Sequence, residues 1–136
     1  MELLELPFDA ASASVARRHV VHVLRTRGVA AVTREDAALI VSEFVGNALR
    51  HGRPLRGGRI RVGWQFDDAG LSIEVTDGGS GRPAVRSSTD ALSMTGRGLG
   101  IVASLADEWG YAAEPDGTLV WARLHGLDLA EYAQTG

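Results

Sequence analysis

The stretch VSEFVGNALRHG contains a carboxylate and an amide one helical turn apart, Glu43 and Asn47. Four polar residues of this predicted helix fall within roughly 60° of one another at about 100° per residue: Asp36, Glu43, Asn47 and Arg50. A glycine inside a helix costs roughly 1 kcal/mol relative to alanine, so Gly46 indicates that something must approach closely here. Carboxylate and amide oxygens suit a Mg²⁺-nucleotide site as metal ligands or proton acceptors, and a merely solvated face is the alternative.

A second motif, TDGGSGRP, directly follows a predicted strand. Asp77 would stand at the strand end, where its carboxylate could accept a hydrogen bond from an exocyclic amine such as that of adenine. Gly79 and Gly81 leave the neighbouring backbone bare enough for a ligand to lie against it. The alternative is a glycine-rich turn that only closes the strand.

The third motif, GRGLGIV, is a glycine-rich loop that opens a predicted helix. Exposed backbone N–H groups and the helix dipole make such a start a phosphate site. Arg97 is the cation best placed for phosphate. A Rossmann interpretation fits poorly, because residues 86–95 do not read as a strand and no βαβ unit surrounds the loop.

Hydrophobic periodicity predicts the elements that must position these motifs. We expect helices over residues 12–27, 33–51 and 99–107, and strands over residues 3–8, 59–66, 71–76, 109–113 and 118–124. Thr33 with Asp36 resembles a capping box for the second helix. The order predicts one α+β domain over residues 1–136, a two-layer sandwich whose mixed, mostly antiparallel sheet is covered on one face by helices. Three tryptophans on strands are expected in the core: Trp64, Trp109 and Trp121.

Composition excludes several classes of protein. The chain has 136 residues, a net charge of -3 and no cysteine, and its 14 basic residues are all arginine. Without lysine there is no Walker A loop, no eukaryotic-type kinase strand lysine and no pyridoxal phosphate Schiff base. The charge gives no argument for direct nucleic-acid binding. No signal peptide or apolar span is evident, so we expect a cytoplasmic protein that does not contact the membrane.

In this order and spacing the motifs resemble the GHKL or Bergerat-type ATP-binding fold of type II topoisomerases, heat-shock chaperones, mismatch-repair ATPases and histidine kinases. The family's N box matches Glu43, Asn47, Ala48 and His51. Its D-x-G-x-G box matches Asp77, Gly79 and Gly81, its second glycine box matches Gly96 to Gly100, and its closing G-T matches Gly117 and Thr118. The resemblance covers roughly residues 5–125.

Within that superfamily the chain is most similar to the small bacterial anti-sigma-factor serine kinases, given its size, the short loop between the glycine boxes and the endings ADEWG and GTLVWARL. The resemblance implies ATP with Mg²⁺, and partner switching between a sigma factor and a STAS-domain antagonist that is phosphorylated on serine or threonine. It also allows a homodimer.

The resemblance further implies roles for individual residues. Glu43 would receive the proton from the attacking hydroxyl, Asn47 would ligate Mg²⁺, and Asp77 would read the adenine amine with help from Thr118. The remaining nucleotide-binding residues would be Arg50, Gly79, Gly81, Gly96, Arg97, Gly98, Leu99 and Gly100, with residues 82–97 as a lid.

Other interpretations remain open. An ATP-binding module could sequester a partner without kinase activity, and a detached histidine-kinase domain could act only in trans. The first predicted helix carries Arg17, Arg18, Arg25 and Arg27, which would form either a solvated face or a docking surface for an acidic partner.

Overall fold

The computed structural model describes residues 1–79 and 97–127. This part of the chain forms three helices and five strands. In chain order they are β1 Glu2–Pro7, α1 Ala11–Thr26, α2 Ala31–His51, β2 Arg59–Asp67, β3 Gly70–Asp77, α3 Arg97–Leu105, β4 Glu108–Glu114 and β5 Gly117–His125. Each predicted element is present, with its ends moved by one or two residues at most positions.

Apolar spacing explains the layer of helices. In α1 the buried residues recur every fourth position, as Ser12, Ala16, Val20 and Leu24, so one face of the helix meets the core. The helix ends shortly before Gly28, whose φ of 77° is a left-handed conformation that favours glycine. In α2 the buried face includes Ile40, Val41, Phe44 and Val45, all with 0% exposure. Each of these side chains contributes roughly 1.5–3 kcal/mol by leaving water.

The sheet has the strand order β1-β2-β3-β5-β4, and all four pairings between the described strands are antiparallel. The predicted sheet was mixed and mostly antiparallel, and within the described ranges it contains no parallel pair of strands. One face of the sheet packs against the helices through alternate residues: Ile60, Val62, Trp64, Leu71, Ile73, Val75, Ala122 and Leu124. Because β5 lies between β3 and β4, the register sets Asp77 opposite Thr118.

Two local predictions are wrong. Thr33 lies inside α2, whose N-cap is Ala30 with no side-chain cap, so no capping box forms at Thr33. Trp121 is also absent from the core cluster, unlike Trp64, because Ala122 and Leu124 face the core and Trp121 alternates to the opposite face of β5. There it packs against the backbone of Gly110 on β4, where an added Cβ would lie 2.9 Å from its ring.

Candidate functional site

The polar stripe on α2 lies on the flank directed away from α1. Helix α2 packs against both α1 and α3. Residues Arg34 and Ala38 line the groove towards α1, and they lie about 140° around the helix from Asn47 and Glu43, respectively. Glu43 is partly buried, and it makes no hydrogen bond or ion pair with the described residues. Its carboxylate is thus available to a ligand or an attacking group.

Arg50 donates a hydrogen bond to the amide oxygen of Asn47. The Arg50 guanidinium donates from Nη2 to Asn47 Oδ1 at 2.8 Å. The group that approaches Gly46 closely is this same guanidinium, because an added Cβ at Gly46 would lie 3.2 Å from Arg50 Nη1. Asn47 Nδ2 is buried and has no hydrogen-bond partner among the described residues. A buried amide N–H₂ group without an acceptor is typical of a site completed by a ligand, so Nδ2 fits an acceptor oxygen such as that of a phosphate. The atom of Asn47 that could ligate a metal is Oδ1, which Arg50 contacts.

Asp77, the last residue of β3, is held by backbone donors. Its Oδ1 accepts from the N–H of Gly79 at 2.6 Å and from the N–H of Arg53 at 3.4 Å. No hydrogen bond from the described residues reaches Oδ2. The second carboxylate oxygen can therefore accept from an outside donor, as the recognition of an amine requires.

Burial raises the pKa of the Asp77 carboxyl above its ordinary value, because desolvation disfavours the charged form. The hydrogen bonds from Gly79 and Arg53 act in the opposite direction and are the smaller effect. A partly desolvated carboxylate binds a donor more strongly than an exposed one, since water competes less for its oxygens.

The glycine-rich turn after Asp77 is closed in by two other segments. The N–H of Gly78 donates to the carbonyl of Arg53 at 2.6 Å. An added Cβ at Gly79 would lie 3.7 Å from Thr118 Oγ1. One at Gly117 would overlap the carbonyl oxygen of Asp77. Asp77, Gly79 and Thr118 are therefore neighbours.

The second glycine box begins a helix. Arg97, Gly98, Leu99 and Gly100 form the first turn of α3, which starts two residues earlier than expected. The first four N–H groups of an α-helix lack intrahelical partners, so this turn can donate to an anion. Gly81 and Gly96, with most of the predicted lid, lie outside the described residues.

The structure thus places two groups of predicted residues along one helix. Asn47 and Arg50 lie in the last turns of α2, and Asp77 contacts its end at Gly52. At 1.5 Å per residue, Asn47 is roughly 7 Å along the helix axis from that end. Gly52 directly follows the predicted end of this helix at residue 51, and nothing local to the chain shows that Asp77 comes against it.

A basic groove of about 420 Å³ runs between α1 and the first half of α2. Its charged lining residues are Arg17, Arg18, Arg25, Arg34 and Glu35, with His22 beside them. The groove therefore has the charge to attract an acidic protein surface.

Within residues 1–79 and 97–127, no three histidine or acidic side chains cluster as a metal site would require. His19, one of two histidines spaced three apart on α1, packs against Trp64 in a tilted arrangement, with ring centroids 4.9 Å apart. In the same ranges, no helix combines the length and apolar character needed to cross a membrane.

Residues 6–124 match the model of the histidine kinase-like ATPase domain. No curated protein matches the chain. Among solved structures, the chain is similar to the RsbU and RsbW domains of Rv1364c from Mycobacterium tuberculosis, with a TM-score of 0.60 and 20% sequence identity. The match covers 93% of this chain and 33% of the other, so this chain spans about a third of that protein's length. At this identity the likeness concerns the fold.

Proposed function

This chain belongs to the histidine kinase-like ATPase domain family, and we propose that it is an ATP- and Mg²⁺-dependent serine/threonine protein kinase and anti-sigma regulatory factor. Its substrate would be a STAS-domain antagonist, and it would also bind a sigma factor. The observation that carries the proposal is the arrangement along α2. Asn47 and Glu43 lie on one flank, and the Asp77 carboxylate stands against the end of the same helix with Oδ2 available.

The residues present fit a nucleotide with its metal. Asp77 Oδ2 would accept from the adenine amine, and Thr118 would support it from the neighbouring strand. Asn47 would hold Mg²⁺ through Oδ1, the oxygen that Arg50 now contacts. Arg50 would then be released to the phosphates, together with the first turn of α3.

Mg²⁺ would supply neutralisation of the charge on the triphosphate. Glu43 would accept the proton of the attacking serine or threonine hydroxyl, a role for which its lack of a partner among the described residues leaves it free. The remaining contribution is positioning, because phosphoryl transfer needs little covalent help from the protein.

The basic groove between α1 and α2 would bind an acidic partner, since four arginines face one glutamate there. This surface lies on the opposite flank of α2 from Glu43 and Asn47. A partner held there would leave the nucleotide site open on the other flank. We further propose that the domain spans residues 1–136 and acts in the cytoplasm, where it has the option of forming a homodimer.

Phosphotransfer tests the catalytic claim. With radiolabelled ATP and the STAS-domain antagonist, label should appear on the antagonist, and Glu43→Gln should reduce its rate by about 10²–10⁴-fold without a matching loss of ATP affinity. Transfer undiminished in Glu43→Gln would contradict the role of Glu43. Tight ATP binding and partner release without phosphoprotein would instead identify a nucleotide-sensing module that only sequesters its partner.

Calorimetry with Asp77→Asn tests both readings at once. The amide retains an acceptor for the backbone donors but loses the carboxylate charge that favours the adenine amine. ATP affinity equal to that of the wild type would contradict nucleotide binding as proposed.

A further inference from the structure

Gly52, the residue that ends α2, lies directly against the Asp77 carboxylate. A Cβ added to Gly52 would lie 2.5 Å from Asp77 Cγ, 2.6 Å from Oδ2 and 2.7 Å from Oδ1. Real Cβ atoms do not approach heavy atoms this closely. The carboxylate therefore occupies the space that a side chain at position 52 would need.

The backbone does not explain the glycine. Gly52 has φ -97° and ψ -164°, an extended conformation that any residue can adopt. Its N–H continues the helix by donating to the carbonyl of Ala48 at 2.8 Å, which any residue except proline could do. The contact with Asp77 is the feature of this position that requires the absence of a side chain.

The carboxylate cannot move aside without cost. Its Oδ1 accepts from Gly79 and Arg53, and the carbonyl of Arg53 in turn accepts from the N–H of Gly78 at 2.6 Å. The segments 52–53 and 77–79 are thus joined by hydrogen bonds on both sides of the contact. A methyl group at position 52 would have to rotate the Asp77 side chain or separate these segments, and either change redirects Oδ2.

We infer that Gly52 is a positioning residue that selects the base of the nucleotide by fixing the orientation of the Asp77 carboxylate. The inference rests on the proposed function and adds a determinant outside the motif that contains Asp77. Oδ2 held in one direction accepts from the 6-amino group of a purine and meets the oxygen of a 6-oxo purine as a second acceptor. A carboxylate displaced by a side chain at position 52 loses this discrimination.

The experiment compares ATP with ITP, which carries a 6-oxo group, by calorimetry on the whole chain. In Gly52→Ala we expect the preference for ATP over ITP to fall about tenfold to a hundredfold, the value of a charge-assisted hydrogen bond, while ITP affinity stays unchanged. Arg56→Ala, at an exposed position in the same loop, is the control and should retain the wild-type preference. An unchanged ATP/ITP ratio in Gly52→Ala would overturn the inference.

A double-mutant cycle separates this role from a structural one. In the Asp77→Ala background the space beside Gly52 is empty, so Gly52→Ala should have no further effect on affinity or thermal stability. If Gly52→Ala alone lowers the melting temperature, Asp77→Ala should restore it. A double variant that loses as much as the two single variants together would contradict the contact-based account. A wild-type protein that binds neither nucleotide would refute the proposed function itself.

Discussion

The guanidinium of Arg50 holds the amide oxygen of Asn47 at 2.8 Å, and the absence of a side chain at Gly46 leaves room for it to do so. The oxygen expected to ligate Mg²⁺ is therefore paired with a cation of the chain itself. A metal at that oxygen would lie within a few ångströms of the guanidinium, and the two positive charges would repel each other. Metal binding and the Arg50 contact should consequently exclude each other.

Replacing Arg50 should weaken binding of ATP but not of adenosine. Under the proposed function, Arg50→Ala removes a cation that would be released to the phosphates, and an exposed charge-assisted hydrogen bond is worth about 1.5 kcal/mol, or about tenfold in affinity. Calorimetry with both ligands measures the difference, and Arg56→Ala removes the same charge elsewhere as a control. An equal loss for ATP and adenosine would show that Arg50 acts on the fold and not on the phosphates.

The raised pKa of Asp77 predicts that its charge costs folding stability at neutral pH. Because the folded-state pKa lies above the unfolded value, this cost diminishes as the pH falls through the folded-state pKa and vanishes below the unfolded value of 3.8. Asp77→Asn should accordingly be more stable than the wild type at pH 7, with an advantage that shrinks towards pH 4. Urea denaturation at several pH values measures this difference, and a wild type that is the more stable at pH 7 would contradict it.

Two positions on α2 test the division of that helix into a core face and an exposed face. Phe44 has 0% exposure and Leu39 has 47%. Phe44→Ala should cost about 3–5 kcal/mol of unfolding free energy because it leaves a cavity, whereas Leu39→Ala should cost about 0.5 kcal/mol or less. Equal losses in denaturant unfolding would refute the packing described.

The basic groove predicts a salt-dependent partner interface. The double variant Arg18→Glu with Arg25→Glu should weaken binding of an acidic STAS-domain antagonist or sigma factor roughly tenfold or more, and should leave ATP affinity unchanged. Surface plasmon resonance at two salt concentrations measures the affinity for the partner and its salt dependence, since screening weakens exposed charge pairs. Arg56→Glu is the control for net charge, and an equal effect from it would exclude the groove as the interface.

Local geometry made much of the site predictable from the sequence. Glu43 and Asn47 share a helix flank because helical spacing alone places residues four apart on one side. Asp77 stands at a strand end because hydrophobic alternation stops there. The same local signals place the second glycine box at a helix start, with an error of two residues. The capping expectation at Thr33 fails because the helix begins earlier, at Ala31, without a side-chain cap.

The positions of distant segments required the tertiary structure. The sequence determined that alternate residues of β5 face opposite sides, but which side meets the helices was decided by packing, and Trp121 falls on the other face. Insertion of β5 between β3 and β4 sets Thr118 beside Asp77 across 41 positions of sequence. The contact between Gly52 and Asp77 likewise joins residues separated by a hairpin. Hydrophobic periodicity indicates which face of a single helix or strand is buried. The contacts of Asp77 with Thr118 and Gly52 depend on how separate segments pack against one another, which periodicity does not indicate.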